Sequence, residues 1–381
     1  MERVLLHAQI YTGNQYIADG YIRYDTSIKE VGDMSQFVLR HQEQVYHVDG
    51  NIVIPGMIDI HIHGGYGIDT MDANPQALLQ LSNKLLSEGV TTFFPTTMTQ
   101  SYEEIMQALQ SVKMAKELGA HIGFIHLEGP FLSKARAGAQ QISHMMTPDV
   151  QTFETFQQCS GNLIKLVTYA PEEESKELET FFEQNGIIGS IGHSDASYAQ
   201  LSGKNIPHAT HLFNQMKGMH HREPGAVGRV LLDGDITVEM IVDGIHIHPE
   251  MVRLAYILKG PEKVCIITDA MKAKGQKDGM YELGGQPVHV QDGIATLENG
   301  TLAGSVLTMD QAFRNILTYT GCTIEEAVRM TSVNQAKEFG LLSKGVLDVG
   351  KDADMVILSP QLEVINTISL GAFKNELQNY K

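Results

Sequence analysis

The chain has 381 residues, of which 43% are hydrophobic and 19% charged, and a formal net charge of −17. That length and apolar content suffice for one large α/β domain plus a smaller one and exclude a disordered chain, while the negative balance argues against nucleic acid or an anionic membrane as partner. Cys159, Cys265 and Cys322 lie far apart with no C-x-x-C pair, which suits a reducing compartment, the cytoplasm, better than a disulfide framework.

The start, MERVLLHAQIYTG, lacks the apolar core of a signal peptide, and no run of roughly 18 uncharged apolar residues offers a membrane span. The first fifty or so residues read as short β segments separated by turns: RVLLHAQIYTG, QYIADGYIRYD, SIKEVGD and QVYHVDGN. From Ile52 apolar runs alternate with helical stretches, NIVIPGMIDIHIH, PQALLQLSNKLLSEG, VTTFFPTT and SYEEIMQALQSVKMAKELG, the last opened by a capping box at Ser101 and Glu104. The alternation continues through HIGFIHLEGP, NLIKLVTYAP, GIIGSIGHSDA, HATHLFN, TVEMIVDGIHI and KVCIITDA. With strands near 54 and 90 these make eight, the number of an α/β fold of (β/α)8 type, a TIM-like barrel. A Gly-rich excursion, KAKGQKDGMYELGGQ, follows, then two helices, the second opened by a box at Thr323 and Glu326, and a β-rich end, GVLDVGKDADMVILSPQLEVI. The economical expectation is a small β domain built from both termini, 1–52 plus 345–381, and a barrel over 53–344.

In such barrels the site is built on the C-terminal rim of the strands. There the sequence places His61 and His63 after strand one, Glu128 after strand three, His193 after five, His211 after six, Asp243 and His246 after seven, and Asp269 after eight. One histidine at a strand end is ordinarily a hydrogen-bonded core residue, but a buried Asp or Glu is costly unless paired or metal-bound. Together these side chains are a donor set for a divalent transition metal with an open position for water. Such an ion makes hydroxide available near neutral pH, and a carboxylate that is not a primary ligand is then needed to move the proton; Asp269 is the candidate. The tripeptide HIH occurs twice, at His61 to His63 and at His246 to His248. In the second copy His248 falls at a helix start before Pro249 and is expected to be a bystander.

The blocks PGMIDIHIHG, HLEGPF, GHSDA, THLFN, HREPGAVG, VDGIH, ITDA, LAGS and GKDADMVIL resemble, in that order and nearly end to end, the amidohydrolase superfamily, and within it the deacetylases of N-acetylglucosamine 6-phosphate. The resemblance implies a (β/α)8 barrel with a small β domain from both termini, a homodimer, and metal-dependent hydrolysis of the acetamide to glucosamine 6-phosphate and acetate. It places core metal ligands on Glu128, His193 and His211 and the general acid/base on Asp269. Some members lack the first-strand histidines and hold one metal; His61 and His63 imply a chain able to hold two, bridged by Glu128, with zinc first and Fe, Mn or Co as alternatives. Asn214 and Gln215 fall on the substrate, as do Ala139 and Gln140, and Arg222 on its phosphate, reaching in from the neighbouring subunit. Asp243 and His246 also fall on the substrate, His246 near the scissile amide, with Leu302, Ala303 and Gly304 beside the acetyl group. Gln140 stands where members commonly carry His, and an amide carries no charge at any pH; it allows N-acetylgalactosamine 6-phosphate, or another acylated or cyclic amine, as the alternative substrate. A non-catalytic scaffold is disfavoured because all the ligands are kept.

Overall fold

The computed structural model of the chain describes residues 2–377, so positions 1 and 378–381 of the expected small β domain lie outside the described residues. The chain divides into two compact units, one of Met1–Asp59, Ser82–Thr92 and Met309–Lys381, the other of Ile60–Leu81 and Phe93–Thr308.

The first unit is organised by an eight-stranded sheet drawn from both ends of the chain. Arg3–Tyr11 runs antiparallel to Tyr16–Tyr24 and parallel to Gln44–His47 and Ile52–Pro55. Met355–Leu358 lies antiparallel to Ile52–Pro55, with Met355 opposite Pro55 and Leu358 opposite Ile52. Side chains from these strands, among them Leu5, Ile10, Ile22, Val53, Met355 and Ile357, form one buried apolar cluster, as a pleated strand with one face inward requires. The run NIVIPGMIDIHIH, expected as a single strand, is two: Ile52–Pro55 belongs to this sheet, and a new strand, Met57–Ile62, begins after Gly56. A Cβ at Gly56 would lie 2.1 Å from Thr91 Oγ1, so the break falls where only glycine fits.

The second unit contains a six-stranded sheet in chain order, Ile125–Glu128, Ile164–Tyr169, Ile188–Ile191, His208–Ala209, Thr237–Ile241 and Val264–Ile267, every neighbour parallel. Its strands are almost wholly buried, the mark of a parallel sheet covered on both faces. Helices such as Tyr102–Glu117 and Pro249–Lys259 alternate with them. Met57–Ile62 pairs with Val90–Pro95, and single parallel bridges link Thr96 to His126 and Ile62 to Ala270.

The Gly-rich excursion is not irregular. It is a three-stranded antiparallel meander, Gly279–Leu283, Gln286–Gln291 and Ile294–Thr296. Its two turns, Gly284–Gly285 and Asp292–Gly293, have φ of 57°, 77°, 51° and 78°, the left-handed geometry that joins strands in two residues. Its apolar face, with Leu283, Val288 and Val290, packs on Met98, Met271 and Ala303. No helix among the described residues is long and apolar enough to cross a membrane.

Candidate metal centre and active site

Everything chemical gathers where the parallel strands of the second unit end. Glu128 closes its strand, Asp269 follows Val264–Ile267 by two residues, and His193 and His211 sit just past theirs. Three of these four have positive φ, 47° at His193, 30° at His211 and 48° at Asp269. Non-glycine residues are held in that region only when their surroundings over-determine it, commonly at functional sites. The backbone of Asp269 is fixed from both sides: its N–H donates to His61 O at 2.9 Å and its carbonyl accepts from Ser305 N at 2.8 Å. After His63 the chain turns back through Gly64–Gly65 against Ile68–Asp69; a Cβ at Gly64 would lie 2.1 Å from Ile68 O.

Glu128 is the hub. Its Oε1 lies 3.0 Å from His211 Nε2 and 3.2 Å from His193 Nε2, and its Oε2 3.2 Å from His63 Nε2. His63 Nε2 is also 3.2 Å, and His61 Nε2 3.4 Å, from Asp269 Oδ1. Three groups of three result, Glu128 with His193 and His211, His61 with His63 and Asp269, and His61 with His126 and Glu239, all buried.

The far nitrogens decide what the near ones are. His193 Nδ1 faces Arg136 O at 2.8 Å, His63 Nδ1 faces Thr96 O at 3.3 Å, and His61 Nδ1 faces Glu239 Oε2 at 2.8 Å. Carbonyls and carboxylates only accept, so each Nδ1 carries the proton and a neutral ring presents a lone pair at Nε2. The Nε2 atoms of His193 and His211 lie 3.2 Å apart against a carboxylate. Lone pairs converging on lone pairs call for a cation, and buried imidazoles with carboxylates suit a divalent transition ion.

The same carboxylates draw a proton onto the His61 and His63 rings wherever no cation takes its place. Burial is the largest influence on His61 and disfavours its charged form, but the carboxylates of Asp269, Glu239 and Glu128 outweigh it and raise its pKa to about 9. His63 is raised in the same way by Asp269 and Glu128 against its burial. Burial pushes the carboxyls of Glu128 and Asp269 up, yet the positive charge of His61 and the bonds from neighbouring imidazoles hold both below the usual carboxylate range. The pocket attracts positive charge.

The cleft above this cluster is lined by His63, Glu128, His193, His211 and Asp269, and by Ala139, Gln140, Asn214, Gln215, Leu302 and Gly304. Ala303 turns away into the apolar cluster behind it. Both oxygens of Asp243 are engaged within the chain: Oδ1 accepts from the amides of Ile245 and His246, and Oδ2 from His246 Nδ1 at 2.7 Å. Asp243, expected on substrate, orients His246, whose Nε2 is buried without a partner. Gln140, also expected there, donates from Nε2 to Glu128 Oε2 and accepts the Thr99 amide, each at 2.8 Å; it clamps the hub carboxylate. Arg222 is exposed, with Nη1 2.8 Å from His221 Nε2, and is not among the residues lining the cleft. His248 stands at the expected helix start and caps Pro249–Lys259 by accepting from Glu250 N.

Sequence reasoning missed Glu239, Met98 and Leu283. Met98 and Leu283 are apolar lining with no signal of their own. Glu239 does have one: a glutamate inside the apolar strand TVEMI, fully buried, is rare unless partnered.

Imidazoles and carboxylates converging at the ends of the parallel strands of an α/β unit define a site able to hold a divalent metal. The chain belongs to the amidohydrolase family, whose model matches residues 52–375. It is 44% identical over 373 residues, 95% of this chain and 94% of the relative, to N-acetylglucosamine-6-phosphate deacetylase of Bacillus subtilis (strain 168). The crystal structure of N-acetylglucosamine-6-phosphate deacetylase from Thermotoga maritima is 33% identical with a TM-score of 0.87, covering 97% of this chain and 99% of that one. That of a mutant N-acetyl-D-glucosamine-6-phosphate deacetylase from Mycobacterium smegmatis, in complex with N-acetyl-D-glucosamine-6-phosphate, is 30% identical with a TM-score of 0.91, covering 98% and 99%.

Proposed function

We propose that this chain removes acetate from N-acetylglucosamine 6-phosphate by metal-dependent hydrolysis, leaving glucosamine 6-phosphate. The observation that carries the reading is the convergence of four Nε2 atoms, from His61, His63, His193 and His211, on Glu128 and Asp269 in one cleft. Glu128, His193 and His211 would hold one ion, and His61 and His63, with Glu128 between the two groups, a second; zinc suits the donors, with Fe, Mn or Co as alternatives. When bound, such an ion polarises the amide carbonyl and lowers the pKa of a water towards about 7.

The chain's own groups do the rest. Asp269, whose Oδ1 lies 3.2 Å from His63 Nε2 and 3.4 Å from His61 Nε2, takes a proton from the attacking water and returns it to the departing nitrogen. Burial opposes a charge on His246, but Asp243, which accepts from its Nδ1, outweighs it and raises the pKa; in its charged form the ring offers Nε2–H to the developing oxyanion. Asn214 and Gln215 bind the sugar, and Leu302 and Gly304 border the acetyl group. Arg222 offers a planar fork suited to phosphate, reaching the substrate of a neighbouring subunit in a homodimer. The eight parallel strands close into a (β/α)8 barrel, a reading supported by the bridges at Thr96 to His126 and Ile62 to Ala270, and the sheet from both ends forms a separate small β domain. The enzyme works in the cytoplasm.

The test is acetate release by the purified protein, before and after metal removal, with metal content measured in parallel. We expect one to two equivalents of a divalent ion, activity abolished by chelation and restored by metal, and lower kcat/KM for the unphosphorylated sugar and for N-acetylgalactosamine 6-phosphate. A higher kcat/KM for the galacto epimer would reassign the substrate. Activity that survives complete metal removal would sink the mechanism.

A further inference from the structure

We infer that Glu239 is a positioning residue for the metal centre, setting ligands of both ion-binding groups through one buried carboxylate. This rests on the metal-hydrolase reading above. Glu239 stands mid-strand in Thr237–Ile241 and is fully buried. Its Oε2 accepts from His61 Nδ1 at 2.8 Å and from the backbone amide of His211 at 3.2 Å, and its Oε1 lies 3.2 Å from His208 Nε2. A carboxylate is expensive to bury unless its lone pairs are used, and here two of the contacts belong to residues of the ion site.

Each contact has a definite consequence. Because the carboxylate can only accept, His61 must carry its proton on Nδ1, which leaves Nε2 as the ligand atom 3.4 Å from Asp269 Oδ1 and 3.8 Å from Glu128 Oε1. The amide of His211 is held at a residue whose φ is 30°, so the same anion helps fix the backbone turn that brings His211 Nε2 to 3.0 Å from Glu128 Oε1. His61 and His211 belong to different groups of three. Glu239 therefore ties the geometry of one group to that of the other, and the general rule for such carboxylate–histidine–metal arrangements is a loss of 10- to 100-fold in metal affinity when the outer partner is changed.

The test measures metal binding, not turnover. Zinc and cobalt affinities of metal-free wild type and Glu239→Gln are determined by chelator competition, with circular dichroism of the metal-free proteins as the folding control. We expect Glu239→Gln to fold and to bind at least one ion about tenfold or more weakly, with an altered cobalt absorption spectrum. Unchanged affinity and spectrum in a folded Glu239→Gln would overturn the inference. A crystal structure of the metal-loaded wild type tests it without any variant: ligation by His61 Nε2 with Nδ1 still on Glu239 supports it, and ligation through Nδ1 overturns it. Wild type that binds no metal at all would instead bring down the hydrolase reading itself, a result distinct from both.

Discussion

Asp269 and Asp69 are both buried carboxylates of the second unit, and their surroundings send them opposite ways. Asp269 faces His61 and His63, which hold it below the usual carboxylate range; replacing it by Asn keeps its shape and removes its basicity. Asp269→Asn should lose about 10²- to 10⁴-fold in kcat while the ion held by Glu128, His193 and His211 is retained, checked by steady-state kinetics beside metal analysis. Asp69 has its Oδ1 on the Met71 amide and its Oδ2 buried without a partner, and burial raises its pKa from 3.8 to about 6. Between those values the folded chain binds more protons than the unfolded one, so this residue's contribution to stability is present below pH 4 and is lost as pH rises through 6. Asp69→Asn keeps the cap and should be more stable than wild type by roughly 3 kcal/mol or less at pH 7.5, with the difference vanishing near pH 4; urea midpoints at the two pH values decide it. At this scale the clustered histidines were legible because each followed a strand-like run. The engagements of Gln140 and Asp243 were not, since a hydrogen bond to Glu128, 12 residues away, or to His246 leaves no trace in composition.

Helix Tyr102–Glu117 begins where the sequence says it should. Ser101 Oγ accepts from the Glu104 amide at 3.3 Å and Glu104 Oε2 from the Ser101 amide at 3.0 Å, satisfying two donors that no helical carbonyl can reach. Ser101→Ala should cost about 1 kcal/mol, read as a lower urea midpoint with kcat unchanged. The box at Thr323 caps Ile324–Val328 in the same way, but the helix then widens into a π turn over Arg329–Val333, which no periodicity announced. The meander was missed because its glycines read as breakers; GG and DG between alternating residues were in fact hairpin turns. HATHLFN, expected as a full strand, contributes only His208–Ala209 to the sheet, since His211 and Phe213 have positive φ and turn the chain towards the site.

Across the whole molecule, net charge of −17 and an anionic pocket make a bound cation a stabilising ligand as well as a reagent. Metal removal should therefore lower the melting temperature, and restoring zinc at 100 times its dissociation constant should return about 2.7 kcal/mol; a melting temperature indifferent to metal would show that the folded site gains nothing from the ion. The alternation of apolar runs with helical stretches made the α/β class legible, because parallel strands buried on both faces are nearly continuous apolar segments. What could not be read is long-range register: nothing in NIVIPG or DADMVIL says that Val356 will lie opposite Ile54, because pairing across three hundred residues is chosen by the fit of the whole sheet.

That pairing also imposes an order in time. Ile52–Pro55 leaves the ribosome long before its neighbour Met355–Leu358 exists, and at roughly 5–20 residues per second the wait is on the order of 15–60 s. During synthesis the early strand has an open edge, the kind of surface that recruits chaperones or wrong partners, so a nascent chain arrested before residue 355 should be far more prone to aggregate than one released a few dozen residues later.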